Sequence, residues 1–139
     1  MISETQKAYL AGFWDADGHI GIHKRGPTYV PVLSCCNTNE AIINNILALL
    51  DEAGIKYYVR YDDRGDRTNA KPAWHVQVDG RPRAVGLLEL LTPYLVGKRP
   101  QAIVVSDWCQ LPRTRGKKPE GYSEMIDTIK ALNARGRVK

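Results

Sequence analysis

The sequence predicts a single α+β domain: a four-stranded antiparallel sheet with its helices gathered on one face. Three observations predict it. Four short strand-like runs occur as two pairs, and a helix-like run precedes each pair. The connections within the pairs are short and turn-rich, which suits antiparallel hairpins. The rest of the chain is helical, so helices segregate from strands instead of alternating with them one by one. No internal repeat is present. At 139 residues the chain is long enough for one domain with a sizeable core.

The elements follow in order. Ser3-Glu4-Thr5-Gln6 fits a capping box, and a first helix is expected from Glu4 to Trp14. His19 to His23 alternates around Ile20 and Ile22 and reads as a strand, closed by the turn signal Gly26-Pro27. Tyr29 to Cys36 is a second strand, with Pro31 tolerable near an edge or bulge. Asn37-Thr38-Asn39 offers N-cap chemistry for a helix from Glu40 to Ala53, which Gly54 ends. Ile55 to Asp62 is the third strand and Ala73 to Asp79 the fourth, joined by a polar connection from Asp63 to Lys71. Helices are expected over Arg83–Leu91 and Lys98–Gln110, with Tyr94 to Gly97 a turn between them and Pro100 in the first turn of the second. Residues 1–111 form the core unit. Residues 112–139 add a basic loop, a last helix from Tyr122 to Asn133, and an Arg-rich tail.

Composition narrows the class. Hydrophobic residues make up 43% and charged residues 25%, ordinary for a water-soluble globular protein. No apolar run approaches the ~20 residues that cross a membrane, and no signal peptide is apparent, so an intracellular protein is expected. Three cysteines without a CxxC offer neither a disulfide framework nor a zinc ribbon. The formal charge of +5 is concentrated in clusters: Lys24, Arg25, Arg60, Arg64, Arg67 and Lys71 by the strands; Arg113, Arg115, Lys117 and Lys118; and Arg135, Arg137 and Lys139. Together these favour a nucleic-acid partner.

The stretch that carries chemistry is Leu10-Ala11-Gly12-Phe13-Trp14-Asp15-Ala16-Asp17-Gly18. Aspartates at the C-terminal end of a helix sit against the negative end of its dipole. A hard divalent cation would offset that cost; two ordinary turn residues are the other reading of the same spacing. A calcium EF-hand is excluded, because counting from Asp15 puts Gly26 where the bidentate glutamate belongs. Gly12 inside a helix costs about 1 kcal/mol relative to alanine. With Ala8 and Ala11 it makes a small-residue face, which suits either tight packing on the chain's own sheet or a helix–helix seam with a second molecule.

Those nine residues resemble the signature of the LAGLIDADG homing endonucleases. Seven of the nine match, and Phe13 and Trp14 keep the apolar character of the two that differ. The element order is also the family's, and single-motif members of this size act as homodimers. The resemblance implies a sheet with helices on one face and DNA on the other. It implies a sequence-specific endonuclease that hydrolyses both strands of a long, near-palindromic site, with Mg²⁺ as cofactor and Mn²⁺ or Ca²⁺ able to take the same place.

The resemblance also assigns residues. Asp17 is the metal-binding catalytic carboxylate, and the carbonyl of Ala16 adds a metal ligand. Asn37 stands where relatives often place a glutamine that orients water. Lys98 belongs to the basic pocket by the scissile phosphate. Asp15 is structural and, with Ala8, Ala11 and Gly12, lies at the dimer interface. Strand alternation then selects the DNA-facing residues: His19, His23 and Arg25; Ser34; Tyr58, Arg60, Asp62 and Arg64; His75 and Gln77. Tyr57, Val59 and Tyr61 go to the core. The histidines lack zinc-site spacing and are read as DNA-facing. The partners expected are double-stranded DNA and a second copy of the chain. An RNA-splicing maturase binding its host intron RNA, and a non-catalytic DNA-binding regulator, are the alternatives on the same scaffold.

Overall fold

A computed structural model describes residues 2–63 and 71–134. The elements run α1 (Glu4–Asp17), β1 (Gly18–Arg25), β2 (Thr28–Asn37), α2 (Glu40–Glu52), β3 (Tyr58–Asp62), β4 (Ala73–Asp79), α3 (Arg81–Leu91), a 3₁₀ turn (Thr92–Tyr94), α4 (Arg99–Cys109) and α5 (Tyr122–Ala134). The four strands form one antiparallel sheet in the order β1-β2-β4-β3. The α+β class, the antiparallel sheet and all four strands stand as the sequence predicts. The polar connection between β3 and β4, with Arg64 and Arg67, and the Arg-rich tail fall outside the described residues.

Period-two alternation divides the sheet into two faces. Ile20, Ile22, Leu33, Cys35, Val76 and Val78 share the inner face and are buried under the helices. Trp14 and Leu10 from α1, Ile43, Ile46 and Leu50 from α2, Leu87, Leu88 and Leu91 from α3, and Trp108 from α4 complete a single core. Burial of that apolar surface is the main force holding the layers together. The capping box is in place, with Gln6 N–H on Ser3 Oγ at 3.1 Å and Ser3 N–H on Gln6 Oε1 at 2.8 Å.

Four local expectations change. First, α1 continues through both aspartates to Asp17, so neither lies in a turn. Second, β3 begins at Tyr58, not Ile55. Gly54, at φ +74°, gives its N–H to Asp51 O, and Ile55 N–H reaches back to Leu50 O at 2.9 Å. This is a Schellman end to α2, and it consumes the residue that would have opened the strand. Third, Val59 and Tyr61 do lie on the inner face, paired to Val76 and Trp74, but they are 37% and 54% exposed. β3 is the outer strand, so an inward direction there does not amount to burial. Fourth, Pro31 sits in an interior strand without breaking a ladder. Its carbonyl accepts Gly80 N–H at 3.2 Å, just past the last β2–β4 pair, Val32 with Asp79. Its nitrogen faces that same unpaired side, where no donor is needed.

The free edge of β1 is managed by α5. Asn133 Nδ2 donates to the edge carbonyl of Ile20 at 3.1 Å, which occupies one of the acceptors an exposed edge would offer to another chain.

Candidate active site at the end of the first helix

Asp15 and Asp17 are two residues apart on α1, so their side chains leave the helix in different directions. Asp15 turns into its own chain. Its Oδ2 accepts Val96 N–H at 2.8 Å and its Oδ1 accepts Lys98 N–H at 2.9 Å. Lys98 is the N-cap residue of α4, whose own side chain makes no capping bond; Asp15 supplies that function from 83 residues away. Lys98 returns the contact, its Nζ donating to Asp15 O at 2.7 Å. An ammonium thus sits on a terminal carbonyl of α1, where helix partial charge is negative. Much of the electrostatic cost of ending a helix on aspartate is therefore met within the chain.

Asp17 is different. It is exposed, and its one described side-chain hydrogen bond comes from Asn37 Nδ2 to Oδ2 at 3.1 Å. Asn37 is orientated by Asn39 N–H, which donates to its Oδ1 at 2.7 Å, leaving the amide nitrogen to face the carboxylate. Asn39 in turn caps α2 through Ala41 N–H and Ile42 N–H. The Asp17 carboxylate is held by the helix it ends and by the last residue of β2, with one oxygen turned away from Asn37. Burial and the neighbouring Cys36 and Asp17 charges push the Cys35 thiol up to about 12, so it stays neutral beside this site.

Gly18 follows with φ −103°, a conformation any residue adopts. Its reason is space: a Cβ there would lie 2.4 Å from the Trp14 ring and 2.7 Å from Trp14 O. Trp14 is wholly buried and its indole N–H reaches His19 O at 3.3 Å. Gly18→Ala is expected to cost about 1–3 kcal/mol by overpacking, read as a lower urea midpoint with unchanged slope; unchanged stability would remove this account of the glycine.

The outward face of α1 carries Thr5, Ala8, Tyr9, Gly12 and Ala16, all exposed. A Cβ added at Gly12 would meet nothing within 4 Å among the described residues, so none of them requires the glycine. Of the residues expected on this seam, Ala11 is fully buried in the chain's own core, and Asp15 is half-buried with its carboxylate bound by the Val96 and Lys98 N–H groups.

The outer face of the sheet holds the described residues selected for DNA contact, most of them joined into three groups. Arg25 pairs with Asp79 at 2.7 Å, and Gln77 Nε2 donates to the same Asp79 oxygen at 2.9 Å. Burial opposes ionisation of Asp79, but Gln77, Arg25 and Arg83 outweigh it and hold the carboxyl below its usual range. Asp62 lies 4.0 Å from Arg60 and 3.8 Å from His75, which also touches Cys36 Sγ at 3.7 Å. His19 and His23 meet Nε2 to Nε2 at 2.8 Å. Burial and Arg25 lower the His23 pKa, so its imidazole is neutral at pH 7. Tyr58 is exposed on this face, and Ser34 is half-buried. Asp79 and Cys36 were missed by sequence reasoning, although alternation places Asp79 two residues after Gln77 and Cys36 two after Ser34.

Against known proteins, a family model described as a LAGLIDADG-like domain matches residues 4–91. The chain belongs to this family. The match takes in Asp17 and Asn37 and stops short of Lys98. The fold is that of the LAGLIDADG homing endonucleases. The homing endonuclease I-CvuI, crystallised with its target in the presence of 2 mM Ca, superposes with a TM-score of 0.68 at 26% identity, over 93% of this chain and 82% of that one. The group I intron-encoded homing endonuclease I-CeuI, complexed with DNA, shares the fold alone: TM-score 0.60 at 12% identity, over 79% of this chain and 56% of that one. An uncharacterized protein of Methanocaldococcus jannaschii is 33% identical over 60 residues, which is 43% of this chain and 22% of that protein's length. No described helix is long and apolar enough to cross a membrane.

In this LAGLIDADG-like chain the motif letters divide by physical duty. Leu10, Ala11 and Trp14 are core, Gly12 and Ala16 face outward, Asp15 caps α4, Asp17 stands exposed, and Gly18 makes room for Trp14. Among the described residues no three His, Cys, Asp or Glu side chains converge as a metal site. One carboxylate and one carbonyl at the helix end are hard oxygen donors that suit a magnesium-class ion, but they are fewer than its six positions. The donor type fits; the donor number requires groups from outside one chain.

Proposed function

We propose that this chain is a sequence-specific homing endonuclease that acts as a homodimer on double-stranded DNA with Mg²⁺ as cofactor. The observation that carries the reading is the separation of the two aspartates: Asp15 is fully used in holding α4, and Asp17 is left exposed at the helix end, aimed by Asn37. An exposed carboxylate fixed by a second side chain has no structural task that accounts for it. The similarity to I-CvuI, an endonuclease captured on its target, supports the same partner class.

In this reading two copies meet along the outward face of α1, over Ala8 and Gly12, which brings the two Asp17 carboxylates together. Asp17 and the Ala16 carbonyl of each copy, with DNA phosphate oxygens, make up the hard-oxygen set. A bound Mg²⁺ supplies charge neutralisation and a more acidic water. The chain's own residues do the rest. Asn37 keeps the Asp17 carboxylate in one orientation. Lys98, anchored on Asp15 O, holds positive charge where phosphate charge builds. The outer face, with His19, His23, Arg25, Ser34, Tyr58, Arg60, Asp62, His75 and Gln77, meets the duplex. Arg and Gln suit guanine and adenine edges in the major groove.

The test is cleavage. Purified protein with magnesium is expected to cut both strands of the sequence formed by rejoining the gene that flanks its insertion point. No cleavage, with tight binding to the host intron RNA instead, would replace the endonuclease by the maturase; DNA binding without cleavage would replace it by a regulator.

The seam has its own test. A Cβ at Gly12 meets nothing within 4 Å and points to solvent, so the fold should persist in Gly12→Leu. Light scattering is expected to give the monomer mass, about half that of the parent; a mass equal to the parent's dimer would remove the seam.

A further inference from the structure

We propose that the pocket between the β1–β2 hairpin and the loop after α4 is a phosphate-binding site. It has a volume of about 330 Å³ and is lined by Thr28, Arg81, Trp108, Arg113, Lys118 and Tyr122 among others. Three of its lining side chains are cationic and none is acidic, so its charge is uncompensated from within. Arg81 is a fixed donor: its NH1 donates to Cys109 O at 3.2 Å and Leu111 O at 2.9 Å, and its guanidinium lies 5.1 Å from the Trp108 ring centre. Both bonds leave from one nitrogen, and the other guanidinium donors remain. Lys118 Nζ lies 5.2 Å from the Tyr122 ring centre.

A second observation points to a ligand. Trp108 is 1% exposed, and its indole N–H is buried with no hydrogen-bond partner among the described residues. Buried donors left unpaired cost about 1–3 kcal/mol. A tetrahedral oxyanion beside Arg81 would supply the counter-charge at once; the indole N–H is sealed from water, so it gains its acceptor when the Trp108 ring or the loop over it shifts. A carboxylate-bearing ligand carries less charge for the same three cations.

The position is informative if the proposed function holds, on which the next step rests. The pocket takes in β2 from Thr28 to Pro31, which pair with Arg25 to Ile22, so it lies about 13–23 Å along the strand from Gly18 at the strand rise of ~3.3 Å per residue. Along a duplex that is about four to seven base pairs at ~3.4 Å each. Tyr29, Pro31 and Trp108 lie on the helix side of the sheet, so the site would grip a backbone phosphate where the duplex backbone passes the hairpin end, or else a free phosphate group.

Two measurements decide. The first titrates inorganic phosphate into ¹⁵N-labelled protein at constant ionic strength and follows the Trp108 indole N–H resonance, assigned by its loss in Trp108→Phe. The second compares the salt dependence of duplex binding in the parent and in the double variant Arg113→Gln, Lys118→Gln. A saturating shift that the double variant loses, with an unchanged salt slope, establishes the site with free phosphate as its source. A salt slope reduced by about one establishes it with the DNA backbone as source, whether or not free phosphate shifts the resonance. No shift and no change in slope overturns the proposal. Neither readout needs metal or cleavage, so a failure of the endonuclease reading is scored separately, by the cleavage assay.

Discussion

Asp17→Asn is expected to abolish strand cleavage, by about 10³-fold or more, while target binding changes by no more than a few-fold. The size follows from removing a charged group that acts where charge develops, an effect of about 10²–10³ for a single neutral donor and larger for an ion-holding carboxylate. The selectivity follows from the structure. The substitution is isosteric, and the carbonyl oxygen of the new amide still accepts from Asn37 Nδ2, so the local fold has no reason to move. The measurement pairs single-turnover cleavage with gel-shift affinity at one salt concentration. Cleavage within ten-fold of the parent would mean that the exposed carboxylate is not the catalytic one.

Asp15→Ala should give the opposite pattern, a large loss of stability whatever the activity. It leaves the N–H groups of Val96 and Lys98 without the carboxylate they share. Hydrogen bonds to a charged group are worth about 1.5–3 kcal/mol each. The site is only partly buried and the two bonds share one anion, so about 3 kcal/mol in total is expected, or roughly 10 °C in Tm for a domain of this size. Urea and thermal unfolding at matched protein concentration check it, because a dimer's stability depends on concentration. A Tm within about 2 °C of the parent would show that the α1–α4 clamp does little to hold the fold. The two variants together separate neighbouring aspartates that one motif presents as a pair.

Much of the architecture was legible from alternation and capping alone. Ile20 and Ile22, Val76 and Val78, and the Ser3–Gln6 and Asn39 caps are local signals, and local signals survive into the fold. The errors arose where a distant segment decides the outcome. Asp15 reads as a turn residue until Val96 and Lys98 arrive to bind it. Val59 and Tyr61 read as core because alternation gives direction, and only the strand order gives cover. Ala11 and Gly12 are adjacent small residues, yet the 100° step between them sends one to the core and the other to solvent. The outer-face pairings were not legible for a further reason: that Asp79 joins Arg25 to Gln77 depends on the register of three strands.

The clamp between Asp15 and Lys98 also sets a timetable for the making of the protein. Its partners are separated by 83 residues, and chains leave the ribosome from the N-terminus at about 5–20 residues per second. The whole signature, Asp17 included, emerges early, while the groups that fix the end of its helix emerge last among the residues of the site. A translation product that stops before Val96 carries the complete motif but none of the donors that hold Asp15. For the proposed endonuclease, this ties a clamped Asp15 to synthesis past Lys98, and fragments that stop before Val96 lack the clamp.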